Sequence, residues 1–243
     1  MIIGDSMINI PYLEVQLYLM NKLNKVDGRF TEEELKSIDE LYLNPVGLNN
    51  IYNKIDFNIL RYFPKLKKLE ISNSNIDNSV IEIISKLFDL DILMFNNCHI
   101  SSVKGFYQVK IKSLGFNNCI VDDLENIGNM KSLNAIKLIN MKLDSISFLE
   151  SLPHLTEVDL SYSKLKEMST LYTFILIERL AIDNSDIMDL DFVNKYSGLK
   201  EISISSNQYA KNKELIDDLV ALGIIVYEDD VICYNHLVGG SNE

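Results

Sequence analysis

The chain is poor in residues that interrupt or bridge a fold. Its 243 residues include four Pro and ten Gly, spread rather than clustered. No segment therefore has the composition of a linker, and one continuous domain is expected. Three Cys, an odd number, fit a reducing compartment better than a disulfide framework. His99, His154 and His236 stand far apart, and H-x-x-x-H, C-x-x-C and glycine-rich phosphate loops are all missing. Metal, nucleotide and general-base chemistry thus lack a motif, and a non-enzyme without a cofactor is expected. Positive charge is also scarce. Twenty-three Lys and Arg stand against 35 Asp and Glu, a net charge of −12. With no basic run, nucleic acid is disfavoured as a partner. No apolar stretch reaches membrane length, so no membrane association is expected. The opening MIIGDSMINIPYLE lacks the charged and apolar regions of an export signal, which makes the cytoplasm the expected location.

What the chain has in abundance is a recurring frame. An aliphatic residue is followed by apolar or small residues three, five, eight and ten places later, as in Leu155, Val158, Leu160, Ser163 and Leu165. The frame starts at Ile38, Leu66, Leu90, Ile111, Leu133, Leu155, Ile177 and Leu199, at intervals of 28, 24, 21, 22, 22, 22 and 22 residues. Fixed-period self-similarity of this size signals stacked repeats. Each unit ends its first six residues in an apolar-x-apolar pattern, as in LTEVDL, which suits a short strand with alternate side chains turned inward. A single unit cannot enclose its own apolar set, so neighbours must stack.

The frame resembles the leucine-rich repeat, L-x-x-L-x-L-x-x-N/C-x-L. The position usually held by Asn reads Val46, Ser74, Cys98, Cys119, Met141, Ser163, Ser185 and Asn207 here. Most of these side chains can bond to neighbouring backbone, whereas Val46 and Met141 cannot donate. Cys98 and Cys119 share this slot in consecutive units, close enough for a disulfide, although two buried thiols are the preferred reading. DSISFLESLPHL and MDLDFVNKYSGL are too short for a three-turn helix and suit one turn of 3₁₀. IDNSVIEIISKLFDL has room for a real helix capped by Asn78 or Ser79.

Short 22-residue units of this kind are similar to the bacterial internalin-like group. The resemblance implies an α/β leucine-rich-repeat solenoid: a curved right-handed coil with a parallel β-sheet on its concave face. Residues 1–36 are expected to form a helical N-terminal cap, 37–209 about eight repeats, and 210–243 an α/β C-terminal cap. In the first cap Leu13, Leu17, Met20 and Leu23 recur at helical spacing, Asp27-Gly28 interrupts, and Thr31 with Glu34 forms a capping-box signature. The C-terminal segment reads as a helix stopped at Gly223, then one or two strands.

The resemblance also implies a binding module that holds another protein on its concave face, acting as a monomer. The outward columns of the frame nominate Tyr42, Ile92, Met94, Asn96, Asn117, Lys137, Ile139, Asp159, Tyr162 and Asp183. These combine apolar and aromatic anchors with adaptable polar groups, beside an asparagine-rich row. Two alternatives remain open. One is a regulatory or immunity-type subunit presenting negative charge to an enzyme. The other is an internalin-like surface adhesin lacking its export signal.

Overall fold

The computed structural model describes residues 7–45, 55–229 and 231–234. They fall into two compact units, one made of the described residues up to Lys112 together with 119–124, the other of residues 113–118 and the described residues from Glu125 onward.

In the first unit the strands Glu40–Leu43, Lys68–Ser72 and Ile92–Asn96 pair in parallel. Glu40 faces Lys68, and Lys68 faces Ile92, so the register reproduces the repeat interval. The reason is steric. A slip of one residue would turn Leu69, Ile71, Leu93 and Phe95 out of the interior, where each is fully buried. Two-residue strands, Asn75–Ile76, His99–Ile100 and Ile120–Val121, form a second parallel ladder where the chain turns back. The return paths are the 3₁₀ turns Phe57–Tyr62 and Lys104–Gln108 and the helix Asn78–Ile84. Gly105 is required where one 3₁₀ turn meets that helix, because a Cβ there would run into the Ile81 side chain.

The helix Asn78–Ile84 begins where the sequence suggests, but its cap is neither Asn78 nor Ser79. The Asp77 carboxylate accepts from the backbone N–H of Ser79 at 2.9 Å and of Val80 at 3.1 Å. Asp77 is the last extended residue before the turn, and a capping side chain must precede the first helical one. At the N-terminal end, the helices Leu13–Lys22 and Glu32–Lys36 flank Gly28, which adopts φ +63°. The predicted capping box is present: Glu34 N–H donates to Thr31 Oγ1, and Thr31 N–H to Glu34 Oε2. The first helix, however, buries Val15 and Leu19 and leaves Leu13 and Leu17 about half exposed. Two apolar stripes fit its period, and docking against the first strand selects between them, with Tyr18 Oη donating to the Glu40 carbonyl at 2.9 Å.

In the second unit the strands Ser113–Asn117, Ala135–Ile139, Glu157–Asp159, Arg179–Ala181, Glu201–Ile204 and Ile225–Glu228 pair in parallel, and the short strands Lys142–Leu143 and Lys164–Leu165 form a second parallel ladder. Val231–Tyr234 closes the longer row antiparallel to Ile225–Glu228. Ser113, Ala135, Glu157, Arg179 and Glu201 lie side by side, again one repeat apart. Leu114, Phe116, Ile136, Leu138, Val158, Leu160, Leu180 and Ile182 fill the interior beneath them, each at most 2% exposed. Both predicted 3₁₀ segments appear, at Ser147–Ser151 and Asp191–Lys195. The expected helix near the C-terminus runs Lys213–Ala221, with Gly223 beyond it at φ +86°.

The polar slot of the repeats is filled as the chemistry requires. Cys98 and Cys119 are free thiols. Cys98 Sγ donates toward the Ile71 and Asn96 carbonyls, Cys119 Sγ toward the Phe95 carbonyl, and the Cys98 N–H points at Cys119 Sγ. The hydrogen bond with Cys119, followed by burial, pushes the Cys98 thiol far above the ordinary range, so it stays protonated and unreactive. Met141 has no side-chain donor, and its N–H donates to the buried Ser163 hydroxyl of the next repeat at 2.9 Å, as the Cys98 N–H does to Cys119 Sγ. Val46 lies outside the described residues. The last slot differs from expectation: Asn207 is exposed, and Gln208 is fully buried in its place. Gln208 Nε2 donates to the Ile182 and Ile187 carbonyls at 2.9 and 2.8 Å. The helix Ser206–Lys211 begins at that point and rotates the inward position by one residue.

Candidate partner-binding face

Each strand turns alternate side chains away from the interior, and these make the outward sheet face of each unit. In the first unit Tyr42 is partly exposed, at 37%. Its ring meets Tyr18 edge-on at 5.5 Å, Lys68 Nζ lies 5.1 Å from its centroid, and Lys68 also donates to its hydroxyl at 3.0 Å. The Tyr42 hydroxyl donates in turn to Glu40 at 3.2 Å. Burial, then the negative charge of Glu40, pushes the Tyr18 phenol up to about 12. Ile92, Met94 and Asn96 are half-buried on the same face, and Asn96 Nδ2 donates to Glu70 at 2.9 Å. Tyr42 and Asn96 are thus held in place by neighbours within the unit.

In the second unit Asn117, Lys137, Ile139 and Asp159 are half-buried on the outward face. Tyr162 is 54% exposed, whereas Asp183 is 6% exposed. Asp183 is therefore covered where its column would leave it exposed. Its carboxylate is covered and receives the Ser161 hydroxyl at 3.4 Å, which leaves it little surface to offer.

The asparagine-rich row has a backbone explanation. Asn73, Asn97, Asn118, Asn140 and Asn184 all have φ between 51° and 52°. This is the left-handed region, which Asn visits more readily than other non-glycine residues. In that conformation the N–H groups of Asn73, Asn118 and Asn140 donate to Asn96, Ile139 and Ser161 carbonyls of the following repeat at 2.8–2.9 Å. The row therefore answers first to chain geometry. Tyr162 occupies the same position at φ +60° and makes the same bond, to the Asp183 carbonyl at 2.7 Å, without an asparagine's tolerance for the conformation.

A further set of residues was not among those nominated. The column two places after each repeat start places Glu157, Arg179 and Glu201 on consecutive strands, and its alternating charge could have been read from the repeat frame. Arg179 lies 3.8 Å from Glu157 and 3.3 Å from Glu201, while Lys137 lies 3.6 Å from Glu157 and 4.0 Å from Asp159. Among the described residues no group of three or more His, Cys, Asp or Glu is placed to hold a metal ion. Among them, too, no helix is long and apolar enough to cross a membrane.

Parallel strands in repeat register, a polar slot bonded to neighbouring backbone and short 3₁₀ returns define the leucine-rich-repeat fold. The chain is a leucine-rich-repeat protein. It is 30% identical over 237 residues to an uncharacterized leucine-rich repeat-containing protein of Amsacta moorei entomopoxvirus, covering 82% of this chain and 47% of that protein. The chain thus spans about half the length of its viral relative. Among solved structures, internalin C2 of Listeria monocytogenes superposes with a TM-score of 0.61 at 18% identity, covering 82% of this chain and 85% of that one. An internalin F from the same organism gives a TM-score of 0.44 at 16% identity, covering 91% and 92%. No family model matches the chain.

Proposed function

We propose that the chain is a non-enzymatic binding module, capped at residues 1–36 and 210–243, that holds a partner protein on the outward face of its repeat sheet. Tyr162 carries this reading. An exposed aromatic stands at a left-handed position that five other repeats give to Asn. Strain kept at an exposed position points toward use, and tyrosine is among the residues that dominate interface energetics. Ile139, Lys137, Asp159 and Asn117 are its companions on the second unit's face. Tyr42, Ile92, Met94 and Asn96 are the corresponding groups on the first. Asp183 is left out because it is buried.

The same reading makes the chain a monomer acting in a reducing compartment, the cytoplasm, which the free thiols Cys98 and Cys119 support. The test is capture of a partner from the native host, identified by mass spectrometry and then repeated with purified components. Tyr162→Glu and Met94→Glu should each weaken capture while leaving the circular dichroism spectrum unchanged. Undiminished capture by a chain carrying both substitutions would remove the sheet face from consideration.

A further inference from the structure

The second unit's sheet face has a shallow hollow of about 150 Å³ between side chains of neighbouring strands. Ala181 and Ser203 contribute to its floor, and Lys137, Glu157, Asp159, Arg179, Glu201 and Tyr227 surround them. The hollow exists because the floor positions are small while the residues flanking them on the same strands are long. Ligand pockets for cofactors or metabolites usually exceed roughly 300 Å³. This one has room for a single protruding side chain.

Its charge defines which kind. Three carboxylates, Glu157, Asp159 and Glu201, share two cations, Lys137 and Arg179. The contacts are long, from 3.3 to 4.0 Å. Lys25–Glu34 and Lys200–Glu178, elsewhere in the chain, close to 2.7 Å. Well-formed charge-assisted N–H···O bonds run to about 2.7–2.9 Å. Here each cation is stretched between two acids; Asp159 Oδ1 also accepts the Ser161 N–H at 3.0 Å, while Glu157 and Glu201 retain capacity for a further donor. An incoming anion would meet the surplus negative charge, and the net charge of −12 adds to the repulsion.

We infer that this hollow receives a lysine or arginine side chain from the partner protein, completing the alternation of charge across the strands, with the Tyr227 ring beside it. The inference rests on the proposed role of the sheet face and names the chemistry of what binds there. A guanidinium suits the site best, since it can bridge two carboxylates and stack on an aromatic ring.

The probe is the peptide acetyl-Gly-Gly-Arg-Gly-Gly-amide, with its citrulline counterpart as a neutral isostere, titrated into the ¹⁵N-labelled full chain at low ionic strength. The arginine peptide should shift the amides of Glu157–Asp159, Arg179–Ala181 and Tyr227, and the citrulline peptide should not. The double variant Asp159→Asn, Glu201→Gln should bind the arginine peptide about fivefold more weakly or worse. A Glu32→Gln, Glu33→Gln control on the distant helix should bind as the parent does. Equal shifts from both peptides, or an unchanged affinity in the double variant, would overturn the inference. The same double variant distinguishes this claim from the broader one. If it captures the partner fully while Tyr162→Glu does not, the sheet face stands and the hollow does not bind.

Discussion

At the residue scale the informative position is Tyr162. A left-handed backbone brings Cβ close to the following carbonyl, at a cost of roughly 1–2 kcal/mol for an ordinary L-residue, and Asn suffers less because its short polar side chain bonds locally. Five repeats follow that rule and one departs from it. With its side chain mostly in solvent, Tyr162 recovers little of the cost through burial. Tyr162→Asn should therefore stabilise the fold, by roughly 1 kcal/mol, while weakening partner capture. Thermal denaturation beside a binding assay checks both halves. A lower melting midpoint would mean that the ring contributes to packing and that no strain is stored.

At the element scale the short helices depend on their ends, because few of their residues can hydrogen-bond internally. The helix Glu32–Lys36 spans five residues. Its Glu34 carboxylate takes a Lys25 ammonium at 2.7 and 2.8 Å and the Thr31 N–H at 2.7 Å. The Lys25 hydrogen bond first, then the Thr31 backbone bond, hold the Glu34 carboxyl below its usual range. A depressed carboxylate pKa adds stability above the unfolded-state value, about 4.3 for Glu. That stability is lost as the pH falls through the folded-state value. Glu34→Gln should accordingly lower the melting temperature at neutral pH and lower it less as the solution is acidified. A deficit that stays constant down to strong acid would show that the carboxylate's charge plays no part.

At the scale of the whole molecule, stability comes from neighbours sharing an interior. In the second unit Leu160 follows the strand Glu157–Asp159, which pairs with Ala135–Ile139 on one side and Arg179–Ala181 on the other. It is 1% exposed. Leu160→Ala should cost roughly 2–5 kcal/mol, because truncation leaves a cavity that a close-packed stack cannot fully close. Since each repeat is stabilised by the next, amide-exchange protection should fall in both flanking strands. Loss confined to the mutated strand would mean that the repeats are energetically independent.

The sequence by itself determined the repeat frame, the strand register, the 3₁₀ returns and the Thr31–Glu34 cap. Each rests on apolar spacing or on a local bond between residues a few places apart. It also nominated Tyr162 and the outward columns, since period-two alternation assigns a side to every strand residue. Only the tertiary structure decided which of two apolar stripes the first helix buries, because Leu13–Leu17 and Val15–Leu19 have the same spacing. It likewise exchanged Gln208 for Asn207 in the last polar slot, withdrew Asp183 from the surface, and set Glu157, Arg179 and Glu201 side by side around a hollow. Those outcomes depend on contacts between residues 22 or more places apart in the chain, where spacing along the sequence carries no information about which neighbour covers which side chain.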